Sequence, residues 1–180
     1  MTASLHQPLV DEALTLSPLG QGHRESLRAA CGEDSAIWEI YPTSYAPDQF
    51  DTSFDALLGN AGRLAFAILV DGAVVGMTAY LGADPGRGVV EIGNSYIAPR
   101  CRGSGLNRRI KRLLIEHAFG LGYRRIEFRV DMRNTRSQAA VAKLGAVREG
   151  VMRQDRVTWT GHLRDTVVYG LLRQEWQAAG

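Results

Sequence analysis

The residues that most clearly indicate a chemical role form a glycine-bearing loop at Arg100–Asn107, with the sequence RCRGSGLN. Because the loop lies between a predicted strand and a predicted helix, Gly103 and Gly105 allow the backbone to approach a ligand closely. The start of a helix presents unpaired N–H groups and the positive end of its dipole. With basic side chains nearby, the pattern predicts a pyrophosphate cradle that needs no metal ion. The alternative is a turn that only connects the strand to the helix.

Other common catalytic patterns are absent from the sequence. It contains neither a Gly-x-x-x-x-Gly-Lys-Ser/Thr phosphate loop nor the Gly-x-Ser-x-Gly elbow of many hydrolases. The four histidines are scattered, and Cys31 and Cys101 stand outside any Cys-x-x-Cys motif. We therefore expect no metal site, no nucleotidase of the P-loop type and no hydrolase of the elbow type.

Hydrophobic periodicity predicts the elements that position the loop. Asp71-Gly72 between two apolar runs predicts a hairpin with a type I′ turn. Gly93, inside a strand, marks a candidate bulge. The aromatic segment Trp38–Tyr41 precedes Pro42 and is expected to be a loop. In chain order, the predicted strands (β) and helices (α) are β 14–16, α 20–30, α 51–58, β 64–70, β 73–80, β 89–98, α 104–119, β 125–130, α 134–144, β 147–157 and β 164–172.

This order predicts an α/β fold of the mixed-sheet (α+β) kind. Antiparallel hairpins precede one β-α-β crossover, and the helices pack on the sheet. The predicted helix 104–119 has an apolar side, and Arg108, Arg109, Lys111 and Arg112 are expected to lie largely away from it. Asn134 is expected to cap the short helix that follows the crossover.

The composition of the chain indicates how many domains it forms and whether it spans a membrane. The chain has 180 residues, 45% hydrophobic, with a net charge of +2, which predicts one folded domain over residues 1–180. The longest apolar stretch, 64–70, is far too short to cross a membrane, and the N-terminus lacks a signal-peptide pattern, so we expect a cytoplasmic protein.

The near-neutral net charge hides an asymmetry. Residues 1–99 carry four arginines against twelve acidic side chains, whereas residues 100–180 carry 17 basic against seven acidic side chains. The basic half indicates an anionic partner, or else a surface that is neutralised within the protein itself.

Several motifs in the C-terminal half resemble one family. Arg100, Gly103 and Gly105 match the phosphate-binding signature of the GNAT superfamily of acyl-CoA-dependent N-acetyltransferases. The segments 134–137 and 143–146, NTRS and KLGA, resemble its next motif. A branch that includes ribosomal-protein N-terminal acetyltransferases is resembled by the C-terminal pattern of 148–150, Arg153, Asp165, Tyr169 and 171–176. The resemblance covers about residues 14–176.

The resemblance implies a mixed sheet of about seven mostly antiparallel strands that splay around a bulge. Acetyl-CoA, as co-substrate, would bind in the opening between the splayed strands. A primary amine would attack its thioester directly in a ternary complex. The implied cofactor contacts are the backbone at Ile97, the loop residues and Asn134, although Asn134 could equally be only a helix cap. The loop residues concerned are Arg102, Gly103, Ser104, Gly105, Leu106 and Asn107.

The same resemblance implies roles in catalysis. Glu91, on the strand that leads to the loop, is the first candidate for the general base, with a structural ion pair to an arginine as its alternative, and Asp155 is the second candidate. Many family members have a tyrosine where this chain has Val141, so Ser137 is the remaining hydroxyl of the motif that could protonate the leaving thiolate. Its alternative is a serine on the surface of the helix without a catalytic role. Trp38 and Tyr41 are candidates to line the acceptor pocket, with core packing as their alternative.

Two other classes of protein compete with the enzyme. The missing tyrosine leaves open a binding module that holds acyl-CoA without chemistry. A nucleic-acid-binding protein would use the basic half, but few aromatic residues accompany its arginines, so we do not expect that partner. The acceptor, a protein N-terminus or a small amine, is not fixed by the sequence, although the acidic N-terminal half would suit a cationic one. A homodimer is equally open.

Overall fold

The computed structural model describes residues 4–179 and contains one eight-stranded sheet with the order β1-β2-β3-β4-β5-β6-β8-β7. Neighbouring strands are antiparallel except β5 and β6, which are parallel and connected through a helix. The expected mixed sheet is therefore confirmed, with one strand more than predicted. The strands are β1 Leu9–Asp11, β2 Leu14–Pro18, β3 Arg63–Val70, β4 Ala73–Asp84, β5 Val89–Ile97, β6 Arg125–Asp131, β7 Val147–Val157 and β8 Leu163–Leu172.

Five α-helices accompany the sheet: α1 Arg24–Gly32, α2 Phe50–Leu58, α3 Leu106–Gly120, α4 Thr135–Ala142 and α5 Arg173–Ala179. One hydrophobic core lies on the sheet face that carries α3, and a second lies on the face that carries α1 and α2. The prediction of a loop around Trp38 is wrong, because Ala36–Ile40 form a 3-10 helix. Among the helices of residues 4–179, none is long and apolar enough to cross a membrane.

The predicted hairpin turn and bulge are both present. Asp71 and Gly72 have φ angles of 49° and 80°, as a type I′ turn requires. Ala79 of β4 pairs with Gly93 of β5, whereas Met77 pairs with Tyr96, so β5 holds one extra residue at this point. A bulge of this kind changes which way the later side chains of a strand point.

The two central parallel strands separate soon after they meet. Only Val89–Glu91 of β5 pair with β6, and β6 then pairs along its whole length with β8. Beyond Glu91 the two strands no longer share hydrogen bonds, and a cleft forms between them. The cleft therefore lies where the bulge and the glycine-bearing loop meet.

Ion pairs join the acidic and basic halves of the chain. Arg100 pairs with Glu33, Arg102 with Asp34 at 2.6 Å, and Arg109 Nε with Asp11 at 2.9 Å. Part of the basic excess after residue 100 is thus neutralised within the protein.

Candidate active site

Most of the predicted site residues lie around one cleft between β5 and β6, which has a volume of about 500 Å³. Its walls come from β5, β6, the start of α3, the helix α4 and the segment that contains Tyr41. The predicted residues that line it are Tyr41, Glu91, Ile97, Arg102, Gly103, Gly105, Asn107, Asn134 and Ser137.

The loop before α3 has the conformation that its glycines predict. Gly103 and Gly105 have φ angles of 78° and 81°, a left-handed conformation that side chains rarely adopt. A Cβ on either residue would meet no heavy atom within 4 Å in the described part of the chain. Gly105 is also the N-cap of α3, and no described side chain caps this helix. The helix N-terminus is therefore open to an anionic group, which fits a pyrophosphate.

Ser104 and Leu106 shape the loop instead of lining the cleft. The Ser104 hydroxyl donates to the carbonyl of Cys101 at 2.8 Å, and Leu106 is buried against the core on the α3 face. Neither residue is among those that line the cleft, so the contacts of both with a cofactor stay predictions.

Arg102 ties the loop to β5 and to α1. Its Nη1 pairs with Asp34 at 2.6 Å, and its Nε donates to the carbonyl of Ile97 at 2.9 Å. The carbonyl of Ile97 is therefore already engaged, which limits the predicted backbone pairing with a cofactor. The remaining terminal nitrogen, Nη2, is buried without a hydrogen-bond partner among residues 4–179, so it is a donor that a ligand could satisfy.

Glu91 is a partly buried carboxylate that is paired with an arginine, so the structure agrees with its alternative as an ion-pair partner, and its role as a base stays a prediction. Its side chain is 22% exposed, it lines the cleft, and Arg129 Nε lies 3.5 Å from its carboxylate. Burial raises the pKa of Glu91, and the charges of Arg129 and Arg156 oppose that increase without cancelling it. A raised pKa moves a carboxylate towards the value that a base needs near neutral pH.

The pKa of Asp155, the second candidate for the base, is shifted in the opposite direction to that of Glu91. It does not belong to the described lining of the cleft, and its Oδ2 accepts from Thr166 and from Arg156, each at 2.9 Å. Burial alone would raise the pKa of Asp155, but these hydrogen bonds outweigh burial and the pKa is lowered. The geometry therefore favours Glu91.

The start of α4 brings Asn134 and Ser137 to the cleft. Asn134 Oδ1 accepts from the backbone N–H of Ser137 at 3.0 Å, so the predicted helix cap is confirmed. Ser137 lines the cleft, and Val141, one turn further along the helix, lines it as well. The contact of Asn134 with a cofactor and the role of Ser137 as an acid stay predictions.

The two aromatic candidates for the acceptor pocket lie in different places. Trp38 is fully buried, its indole N–H donates to the carbonyl of Cys31 at 3.2 Å, and its ring packs at 4.7 Å from that of Tyr96. Its position corresponds to the alternative of core packing. Tyr41 does line the cleft and donates from its hydroxyl to the carbonyl of Ser95 at 2.7 Å. Burial raises the pKa of Tyr41 to about 12, so its hydroxyl stays protonated.

Lys111 is buried in the cleft, although the sequence predicted that it would lie on the polar side of its helix. Lys111 of α3 is 6% exposed and lines the cleft, and its ammonium group donates to the hydroxyl of Ser95. Burial lowers the pKa of Lys111 to about 7. The expectation that it lies away from the apolar side is wrong. Its spacing of three and four residues from Leu114 and Ile115, both buried, is the signal that places it inward.

The wall of the cleft is strongly basic. Among its described lining residues, only Glu91 and Asp131 are acidic. The expectation that the acidic N-terminal half favours a cationic acceptor is therefore not reflected in this cleft. The basic lining residues, which come from several separate elements, are Arg63, Arg102, Arg108, Lys111, Arg129, Arg136, Lys143, Arg156 and Arg164.

The described histidine, cysteine, aspartate and glutamate side chains do not form a metal-binding group. Within residues 4–179, no three of these side chains lie close enough together to hold an ion. The expectation of a site without metal stays a prediction.

Comparison with known proteins identifies the family. Residues 34–146 match the acetyltransferase (GNAT) family model. The curated Bacillus subtilis protein "Putative ribosomal N-acetyltransferase YdaF" is 32% identical over 111 residues, which are 61% of this chain and 60% of that protein. The aligned region thus spans about three fifths of this relative's length, and the predicted resemblance to the branch with ribosomal acetyltransferases is confirmed.

Two solved structures extend the match to nearly the whole chain. A "probable" GNAT-family acetyltransferase from Chromobacterium violaceum is 30% identical with a TM-score of 0.87, covering 96% of this chain and 94% of its own. A GCN5-related N-acetyltransferase from Brucella melitensis is 27% identical with a TM-score of 0.89, covering 99% and 83%. Because the family model matches more than half of the sequence and the splayed sheet matches these structures, the chain belongs to the GNAT family of acetyltransferases.

Proposed function

We propose that this protein transfers the acetyl group of acetyl-CoA to a primary amine by direct attack in a ternary complex. The observation that carries the proposal is a single cleft that joins the open N-terminus of α3 to a half-buried Glu91 whose pKa is raised. The first feature suits a phosphate-bearing ligand, and the second suits removal of a proton from an amine.

The loop and α3 would hold the cofactor. Acetyl-CoA supplies an activated thioester, and its phosphates carry the negative charge that the helix N-terminus and the basic wall attract. Gly103 and Gly105 leave room for the phosphates, and Arg108 lines the cleft beside them. Holding the two reactants together can supply about 7–11 kcal/mol of the barrier reduction.

Glu91 would accept a proton from the acceptor ammonium, directly or through a water molecule. Only the neutral amine has the lone pair that attacks a carbonyl carbon, so this step must come before or with bond formation. A carboxylate with a raised pKa accepts the proton more readily at neutral pH than an ordinary one does. The guanidinium of Arg129, 3.5 Å away, holds the carboxylate in place.

Ser137 would donate a proton to the departing thiolate. It lines the cleft near the N-terminus of α4, whose dipole also favours negative charge. Val141, one helical turn further along α4, is apolar and has no proton to donate to the thiolate.

Val141 also favours a second candidate, an acyl-CoA-binding module without catalysis. One experiment separates the two: calorimetric titration with acetyl-CoA, followed by a panel of amines assayed for release of the CoA thiol. Binding with amine-dependent thiol release supports the enzyme, binding without release supports the module, and no binding refutes both. The Gly105→Glu variant, whose side chain would enter the cradle, is the control for binding at this loop.

The acceptor stays at the level of a primary amine, on a small molecule or a protein N-terminus. The name of the B. subtilis relative refers to ribosomal proteins. A spermidine/spermine acetyltransferase from Vibrio cholerae shares only the fold, at 17% identity. The single domain over residues 1–180, the cytoplasmic location, the absence of a nucleic-acid partner and the homodimer stay predictions.

A further inference from the structure

Arg164 is a buried cation that lacks a full set of partners. It is 4% exposed, and it lines the cleft. Its Nη2 donates to the carbonyl of Arg129 at 3.2 Å, whereas its Nε has no hydrogen-bond partner in the described part of the chain. A guanidinium has five N–H donors, and burying them without acceptors is costly.

The nearby carboxylate is already used by another arginine. Asp131 Oδ2 lies 4.0 Å from the Nε of Arg164, which is beyond hydrogen-bond distance. Both oxygens of Asp131 accept from Arg133, at 2.8 and 3.0 Å, and the backbone N–H of Arg133 donates to Asp131 as well. Asp131 therefore does not satisfy Arg164.

A second arginine faces Arg164 across the β7–β8 pair. Arg156 is the register partner of Arg164 and also lines the cleft, and its Nε bonds Asp155 at 2.9 Å. Burial, and next the charge of Arg156, lower the pKa of Arg164, whereas the carboxylates of Asp131, Asp155 and Glu91 oppose that decrease without cancelling it. Arg156 is partly exposed and paired with Asp155, so Arg164 is the more deeply buried charge of the two. Its guanidinium repels that of Arg156 unless a negative group binds beside it.

The alternation of side chains places this pair on the same sheet face as the candidate base. Val167 and Tyr169 of β8 pack in the core on the α3 face, so Arg164 points to the opposite face. Val90 and Ile92 likewise pack on the α3 face, which puts Glu91 on the same side as Arg164. The helix α3, which the glycine-bearing loop precedes, packs on the opposite face of the sheet from Arg164.

We propose that Arg164, with Arg156 beside it, binds a carboxylate carried by the acceptor, so that the substrate is an amine with a nearby carboxylate and not a polyamine. This inference rests on the proposed acetyl transfer. One negative charge suits the site because Arg164 is the guanidinium there without a carboxylate at hydrogen-bond distance. The planar fork of a guanidinium matches a carboxylate in two parallel hydrogen bonds.

The test compares acceptors that differ only in the carboxylate. Glycine is compared with glycinamide for a free amino acid, and seryl-aspartyl amide with seryl-asparaginyl amide for a peptide N-terminus, with spermidine as the polyamine. For each pair, kcat/KM is measured in wild type, Arg164→Gln and Arg164→Lys. Arg153→Gln is the matched control, because Arg153 is an exposed arginine of β7 that is not among the residues lining the cleft.

In one of the two pairs, we expect wild type to have the higher kcat/KM for the acceptor that carries the carboxylate. The pair in which this occurs shows whether the carboxylate belongs to a free amino acid or to a peptide side chain. Arg164→Gln should reduce this preference at least about tenfold, Arg164→Lys should restore part of it, and Arg153→Gln should leave it unchanged. Comparing ratios between proteins removes the effect of the different amine pKa values within a pair. The proposal is overturned if Arg164→Gln leaves both ratios unchanged, if spermidine is the best acceptor, or if the variant mainly weakens acetyl-CoA binding.

A binding measurement keeps this result separate from the proposed function. The two N-acetylated dipeptide amides and the pair N-acetylglycine and N-acetylglycinamide are titrated by calorimetry into folded wild type and Arg164→Gln, in the presence of CoA. Tighter binding of the carboxylate member, lost in Arg164→Gln, supports the subsite even if no amine is acetylated. Equal affinities within both pairs overturn it, whatever the activity.

Discussion

Lys111 offers a direct test of how the interior of the cleft is built. The chain has two lysines, and they differ in environment: Lys111 is buried, whereas Lys143 is exposed. Burial lowers the pKa of Lys111 from its ordinary 10.5 to about 7. Replacing Lys111 with Met keeps the length of the side chain and removes the ionisable group.

The size of the effect follows from the two pKa values. Between pH 7 and 10.5 the unfolded chain binds more protons at this lysine than the folded protein does, so the free energy of unfolding rises with pH. Each unit of pKa difference is about 1.4 kcal/mol. From pH 7 to pH 10 wild type should gain about 3–4 kcal/mol relative to Lys111→Met, and the advantage of the methionine should be largest at and below pH 7.

The assay is urea unfolding at pH 7, 8, 9 and 10 for wild type, Lys111→Met and Lys143→Met. Tyrosine and cysteine ionisation affects all three proteins alike and cancels in the differences. The free energy of unfolding should change with pH in the same way for Lys143→Met and wild type, because Lys143 is exposed in the folded and in the unfolded state. NMR of protein labelled with ¹³C at the lysine ε-carbons gives two signals, of which one should titrate near pH 7. A constant difference between wild type and Lys111→Met, or two signals that both titrate above pH 10, would refute the reasoning.

Three further predictions address the proposed chemistry. Gly105→Glu should abolish acetyl-CoA binding in calorimetry, whereas Gly72→Glu, with an equally strained φ of 80° in a distant turn, should not. Ser137→Ala should lower kcat more than it weakens acetyl-CoA binding, and an unchanged kcat with chemistry rate-limiting would leave the serine without a catalytic role. Glu91→Gln should reduce kcat/KM by about 10²–10⁴, with a smaller loss at pH 10 than at pH 7, whereas Asp155→Asn should lack this pH-dependent recovery.

Local signals in the sequence predicted features that depend only on neighbouring residues. The glycine loop and the Asp71-Gly72 turn follow from positive φ angles that few residues adopt. The bulge was predicted from Gly93, and the residue with a positive φ there is its neighbour Asn94. The helix cap at Asn134 follows from a side chain that reaches only three residues ahead. Such features need no knowledge of the distant chain.

Features that depend on strand order were not predictable in this way. Arg129, Arg156 and Arg164 come from three strands and meet because β8 lies between β6 and β7 in the sheet. Trp38 packs on Tyr96, 58 positions away, and this contact draws its ring into the core. A single sequence shows the residue types but not the neighbours that decide between a pocket and a core.

The bulge in β5 turns neighbouring side chains of one strand to opposite faces of the sheet at the cleft. In a regular strand, Glu91 and Ser95 would point to the same side, because side chains alternate with a period of two. The extra residue reverses the alternation: Ile92 packs in the core on the α3 face, whereas Tyr96 packs in the core on the α1–α2 face. Ser95 consequently meets Lys111 of α3, and Glu91 stays on the opposite face. A thioester held from the side of α3 would then present its carbonyl to an amine that approaches from the side of Glu91, which is the geometry that direct transfer requires.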